Sequence, residues 1–213
     1  EVYGMIRRTS VDYRERIAHL EGEPDFHLKY GDLGDSISLV KLIAEIRPDE
    51  IYNLACPASP VHYQFNPVKT IKTSVVGISN MLELAHKTGA KILQASTSEI
   101  YGNPLEHPQS EKYLGNVNTV GPRSCYDEGK RMAETMCASY ASEYNVPVKI
   151  ARLAQTFGAG VSKDDNRVFA QFAKSVINKE NIIIHTKGET ARNYCYTTDA
   201  VRAILTILTK GEI

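Results

Sequence analysis

The sequence predicts an α/β protein with a doubly wound parallel sheet. Three observations carry that expectation. Strand-like apolar runs alternate with helix-period segments from one end of the chain to the other. Three of the runs end in polar clusters, Arg7-Arg8-Thr9-Ser10, Gly31-Asp32-Leu33 and Ser96-Thr97-Ser98-Glu99. In open α/β sheets, ligands bind beyond the carboxyl ends of the strands, where such clusters fall. The size also fits, since 213 residues correspond to one domain or one domain plus part of another.

The elements follow in order. Val2–Ile6 reads as a strand, and residues 10–20 carry apolar side chains at helical spacing. Phe26–Tyr30 is a strand stopped by Gly31-Asp32. Ser36–Ile46 is a helix with Ser36 as its expected cap, an apolar stripe of Ile37, Val40, Leu42, Ile43 and Ile46, and Pro48 as its stop. Residues 51–55 form a buried strand, 67–86 a long helix ended near Gly89, and 91–96 the next strand. A Gly-, Pro- and Asn-rich loop covers 102–122. Ser124–Tyr144 is a helix, 146–153 a strand, 167–178 a helix, 182–185 a strand and 198–208 a final helix. Residues 1–153 are expected to form a truncated dinucleotide-binding domain. Residues 154–213 are expected to contribute to a substrate region and the last sheet elements.

Composition excludes several function classes. Lys and Arg number 25 against 25 Asp and Glu, so bulk charge does not draw the chain to nucleic acid. No apolar run approaches the ~20 residues of a membrane helix, and no secretory signal opens the chain. The four cysteines form no CxxC pair, which suggests reduced thiols and a cytoplasmic protein without a metal site.

No GxGxxG follows the first strand. The chain begins on Glu1-Val2-Tyr3-Gly4 rather than Met, as if inside a strand. The expectation is therefore a sheet lacking its first strand and Gly-rich loop, cut from a longer chain. In the usual strand order that first strand is central, so Val2–Ile6 and residues 51–55 would lose their common neighbour.

The segment Ser124-Cys125-Tyr126-Asp127-Glu128-Gly129-Lys130 carries the chemistry. Tyr126 and Lys130 lie four apart, on one helix face. A nearby ammonium is expected to lower the Tyr126 pKa from ~10 and make the phenol a base for a sugar hydroxyl. A bare YxxxK is a weak signal. Here Thr97, placed to hydrogen-bond the reacting oxygen, and Glu99, an acid or base, stand at a strand end facing the same crevice.

STSEIYG followed by GPRSCYDEGKR resembles the extended short-chain dehydrogenase/reductases, the epimerase/dehydratase family that modifies nucleotide sugars. Residues 1–55, with EIYNLA, resemble GDP-mannose 4,6-dehydratases. Residues 56–131, with ACPASPVHYQFNPVKT, resemble UDP-glucuronate decarboxylases, and the remainder resembles bacterial cell-surface epimerase/dehydratases. The resemblance implies a Rossmann-like fold and Thr97, Ser98, Glu99, Tyr126 and Lys130 as catalytic residues. It implies cofactor contacts from Asp32, Leu33, Leu54, Ala55 and Ala58, besides Tyr126 and Lys130. Substrate contacts are implied for Thr97, Gln155, Arg167 and Arg192. The long helices implied at a subunit interface suggest a homodimer.

Two departures touch the substrate pocket. NVxGT is replaced by Ser74-Val75-Val76-Gly77-Ile78, and FNxYG by Ala154-Gln155-Thr156-Phe157-Gly158. The cofactor expectation follows from charge. Arg7 and Arg8, with Ser10, suit a 2′-phosphate, so NADP is expected ahead of NAD. The activity expected is transient C4 oxidation of a nucleotide sugar, most like UDP-glucuronate decarboxylation. A 4,6-dehydratase or epimerase, or a non-catalytic remnant of the fold, are the alternatives.

Overall fold

The structure is a computed structural model, and it describes residues 1–8, 14–184, 187–188 and 192–211. Strands β1 (Val2–Ile6) and β2 (Phe26–Tyr30) pair in parallel, in register from Val2↔Phe26 to Ile6↔Tyr30. Strands β3 (Glu50–Asn53), β4 (Lys91–Thr97) and β5 (Val148–Leu153) form a second parallel sheet in the order β3-β4-β5. No ladder joins β1 to β3 among the described residues. Both strands instead run into one cleft, as expected for a sheet whose central strand is not in these residues.

Parallel strands need crossover connections, most often through a helix. Helix α1 (Ser36–Ile46) lies between β2 and β3. Its cap is Asp35, not Ser36, because the Asp35 carboxylate accepts from the Ile37 and Ser38 amides. The buried face is Leu39 and Ile43, with Leu42 and Ile46 partly covered, whereas Ile37 and Val40 face solvent. The expected stripe thus included residues from the wrong side of the helix. Arg47 adopts a left-handed conformation and closes α1 before Pro48.

Helix α2 (Pro60–Phe65) starts with Pro at its first position, and α3 (Pro67–Thr88) ends on left-handed Gly89. Helix α4 (Ser124–Tyr144) joins β4 to β5. Leu39, Ile43, Ile78, Leu82, Ile92, Ala133, Cys137 and Val148 form the main core on this face of the sheet. Burying each large aliphatic side chain contributes about 1.5–3 kcal/mol. Gly129 lets α4 come close to α3: a Cβ there would stand 3.0 Å from the Ser74 Cβ.

Past β5 come β6 (Gln155–Phe157), α5 (Val168–Asn178), β7 (Tyr194–Tyr196) and α6 (Thr197–Lys210). Strands β6 and β7 pair only with each other. Helix α6 packs Leu208 against Leu93 and Ala151, so helices cover both faces of the three-stranded sheet.

Three expectations fail. Residues 14–20 form two separate 3-10 turns, Arg14–Arg16 and Ala18–Leu20, and the rest of the expected 10–20 helix lies outside the described residues. Neither turn buries a residue, so the segment has no apolar face to support a full helix. Residues 182–184 form no strand, and Ile182, Ile183 and Ile184 are exposed, because no neighbouring strand is there to pair with them. His185 is outside the described residues. Finally, β3 ends at Asn53, short of Ala55.

Candidate active site

Strand β4 delivers Thr97 at its carboxyl end, where the side-chain oxygen accepts from the Glu99 amide at 3.2 Å. That bond starts a 3-10 turn, Ser98–Tyr101, which turns Glu99 back toward the start of α4. Gly102 closes the turn at φ +64°, and a Cβ there would collide with the Asn116 carbonyl at 2.2 Å. Across from it, the first turn of α4 carries Tyr126, and Lys130 follows one turn on. Tyr126 and Lys130 are both buried, and the Thr97 side chain stands near Tyr126.

The Lys130 Nζ donates to the Ala95 carbonyl at 2.8 Å and stands 5.9 Å from the Tyr126 ring centre. Burial pushes the Lys130 pKa down and the Tyr126 phenol well above its usual range. For Tyr126, the charge of Cys56 adds to the effect of burial, the Thr97 side chain opposes it, and Glu99 and Asp127 raise it further. The expected lowering of the Tyr126 pKa is therefore not found in this arrangement. The ammonium is spent on a backbone carbonyl, and desolvation dominates.

A second layer surrounds the dyad that pattern reading missed. Tyr63, from α2, stacks on Tyr126 with ring centres 5.0 Å apart and planes 8° from parallel. Arg123 pairs with the Glu99 carboxylate, and its Nε lies 3.9 Å from Asp127. The Tyr63 hydroxyl, Arg123 Nε and Asp127 Oδ1 are buried without a hydrogen-bond partner. Burial pushes Asp127 up to about 6, against the pull of Arg123 and with the help of Glu99 and Glu128. Cys56 packs against Tyr126, and its sulfur lies 3.3 Å from the Ser74 hydroxyl. Ser74, one of the departures noted above, is thus a buried partner of the site. Arg123 and Asp127 lie within GPRSCYDEGKR and Tyr63 within ACPASPVHYQFNPVKT, and Ser74 is one of the departures, but none of them has a role readable from spacing; Tyr63 and Ser74 reach the site through tertiary packing.

The cleft beside this cluster has a volume of about 1250 Å³. Arg7, Arg8, Asp32, Leu33, Leu54, Ala55 and Ala58 all line it, with Cys56 leading toward Tyr126. Two of the three polar strand ends therefore meet in one cavity. The third, with Thr97 and Glu99, is not part of its lining and lies against Tyr126. Arg8 sits over the Tyr30 ring at 5.6 Å, and the Asp32 carboxylate accepts from the Gly34 amide. Ser10 lies outside the described residues. Gln155, Arg167 and Arg192 do not border the cleft. Gln155 is on β6, Arg167 pairs with Asp165 and covers Phe169, and Arg192 precedes β7.

A parallel α/β sheet with a cleft at its strand ends and a Thr–Tyr–Lys cluster beside it defines a Rossmann-like protein of the epimerase/dehydratase kind. The chain belongs to the GDP-mannose 4,6 dehydratase family, whose model matches residues 1–213. It is 46% identical over 200 residues to UDP-glucuronic acid decarboxylase 1 of Arabidopsis thaliana, covering 94% of this chain and 44% of that protein. The protein of the same name from Xenopus tropicalis is 42% identical over 195 residues, covering 92% of this chain and 45% of that one. The chain thus spans less than half the length of these relatives. The fold is similar to dTDP-glucose 4,6-dehydratase from Bacillus anthracis in complex with NAD, with TM-score 0.83, 20% identity, and coverage of 99% of this chain and 64% of that one. It is also similar to UDP-glucose 4-epimerase from Thermotoga maritima with UDP-glucose, with TM-score 0.84, 24% identity, and coverage of 98% and 65%.

Proposed function

We propose that this chain carries the cofactor cleft and the catalytic cluster of a nucleotide-sugar enzyme that oxidises C4 transiently, most like UDP-glucuronate decarboxylase. The observation that carries the reading is the buried Tyr126 beside Thr97 at the end of β4, with Lys130 one helical turn away. The choice of decarboxylase rests on the 46% identity to those enzymes.

The cleft suits a nicotinamide dinucleotide. Leu54, Ala55 and Ala58 offer an apolar wall, and Arg7 and Arg8 offer cations at the ribose-phosphate end. No residue of this chain supplies a GxGxxG cradle for the pyrophosphate. When bound, NAD or NADP supplies hydride acceptance from C4 and its later return. The protein's own groups do the rest. Tyr126 Oη takes the proton of the 4-hydroxyl, and Thr97 holds that oxygen. Lys130 supplies the positive charge that offsets the phenolate. With C4 a ketone, the C6 carboxylate is that of a β-keto acid and leaves as carbon dioxide. Glu99, held by Arg123, is proposed to relay a proton from solvent to C5 afterwards.

A second reading, 4,6-dehydration, is favoured by the family match. There Glu99 takes the C5 proton while water leaves C6. Gln155, Arg167 and Arg192 are proposed to reach the substrate, with residues 154–213 contributing to its region and residues 1–153 to the dinucleotide-binding part. The homodimer is proposed across the solvent-facing sides of α3 and α4, where Val68, Ile71 and Met132 are exposed. Among the described residues no helix is long and apolar enough to cross a membrane, and a cytoplasmic location is proposed. Incubating the full-length protein with UDP-glucuronate and with GDP-mannose tests the reading. Carbon dioxide from the first supports the decarboxylase, water loss from the second transfers the case to dehydration, and neither contradicts both.

A further inference from the structure

Strands β3 and β4 stay paired as far as Asn53↔Gln94, and there they part. Strand β4 continues beside β5 to Thr97↔Leu153, whereas the chain after Asn53 turns off to line the cleft with Leu54, Ala55 and Cys56. A pair of amides is buried at this fork, Asn53 at 6% and Gln94 at 3% exposure. Asn53 Nδ2 donates to Gln94 Oε1 at 2.7 Å, and Gln94 Nε2 donates to the Ala95 carbonyl at 2.9 Å. That carbonyl is the one that accepts from Lys130 Nζ at 2.8 Å. On the other side, Asn53 Oδ1 accepts from the Ala55 amide at 3.3 Å. An unbroken hydrogen-bonded path therefore links the Ala55 wall of the cleft to the Lys130 ammonium.

The path crosses a region that an apolar pair would fill at less cost. Ile51 and Ile92, two positions earlier on the same strands and so on the same face, belong to the main core. Buried amides add to stability only while every polar group stays paired, and here each partner leads toward the site. The lysine stem is flexible, so a second fixed donor on its acceptor restricts where the ammonium can rest.

We propose that Asn53 and Gln94 are positioning residues that fix the Lys130 ammonium relative to the Ala55 wall through the shared Ala95 carbonyl. The proposal rests on the reading of Lys130 as the partner of Tyr126. Its test does not need turnover, so a protein inactive on UDP-glucuronate would contradict the functional reading and leave this test standing.

The experiment is NMR titration of the Lys130 ammonium in full-length protein labelled with ¹⁵N-lysine, the signal being assigned by Lys130→Arg. Gln94→Leu and Asn53→Leu are each expected to move the Lys130 midpoint by at least about 0.5 pH unit. The double variant is expected to move it no further than the larger single change, because both act through one path. Exchanging the two amides, Asn53→Gln with Gln94→Asn, is expected to return the midpoint to its native value. An unmoved midpoint in both folded single variants overturns the proposal, as does a double variant equal to the sum of the singles. If the leucine variants do not fold, the exchanged pair decides: a native midpoint supports the proposal and a displaced one overturns it.

Discussion

Lys130 Nζ and the Tyr126 ring centre are 5.9 Å apart, yet the lysine gives its hydrogen bond to the Ala95 carbonyl and not to the phenol. On the proposed reading, any influence of the ammonium on Tyr126 is exerted through space rather than through a hydrogen bond. In a buried setting such a charge is felt more strongly than in water. On the proposed reading, it is the Tyr126 phenolate that takes the proton, beside a fixed positive charge that offsets its own. Moving the charge without removing it should accordingly change activity while leaving the fold in place.

Arg7 and Arg8 are exposed and border the cleft, and they are proposed to meet a 2′-phosphate. Replacing both with Ala is expected to weaken NADP binding relative to NAD by about tenfold, roughly the worth of one charge-assisted contact. Calorimetric titration of both cofactors into full-length wild-type and variant protein reads the ratio. An unchanged ratio would mean that the arginines do not meet the phosphate.

Burial pushes the Asp127 carboxyl up to about 6, above the usual range for a free carboxylate. The folded state therefore holds this proton more tightly than the unfolded state, and stability falls as pH rises through the window from about 4 to about 6. Asp127→Asn removes the titrating group. The variant is expected to gain on wild type across that window, by about 2 kcal/mol at neutral pH. Urea denaturation at a series of pH values checks it. A stability difference that does not change with pH would contradict the burial argument.

Glu134 ties α4 to the sheet: it accepts from the Ser96 hydroxyl at 2.5 Å and from Arg152 at 2.7 Å, while Arg152 also reaches the Tyr101 hydroxyl at 3.1 Å. Glu134→Ala leaves a half-buried guanidinium without its carboxylate, and a loss of about 2–3 kcal/mol is expected. Glu134→Gln, which keeps one acceptor, is expected to lose less. Equal stability of all three proteins in chemical denaturation would show that the network contributes nothing.

Much of this fold is legible in the sequence where local signals agree. Val2–Ile6 and Phe26–Tyr30 have the expected bounds because turn residues close them, and Ser124–Tyr144 matches because a long helix carries its own periodicity. The α1 cap is ambiguous in the sequence because Asp35 and Ser36 are both good capping residues and stand side by side. Helix α2 went unseen because it is only six residues long, although Ser59-Pro60 marks its start. Strands β6 and β7 are three residues each and exist only through a pairing across almost forty positions of sequence, which no local pattern encodes. Ile182, Ile183 and Ile184 look like a strand in composition, but composition cannot supply a neighbour. The site divides in the same way. Thr97, Tyr126 and Lys130 are readable from spacing, whereas Tyr63, Asn53 and Gln94 join it through tertiary packing.

The most direct test of the account is carbon dioxide release from UDP-glucuronate by full-length wild-type protein and by Tyr126→Phe. The substitution keeps the ring stacked on Tyr63 and removes only the hydroxyl, so circular dichroism and the melting temperature are expected to be preserved. Release by the variant is expected to fall by about 10²–10⁴-fold. A folded Tyr126→Phe protein that releases carbon dioxide at the wild-type rate would contradict the assignment of Tyr126 as the base.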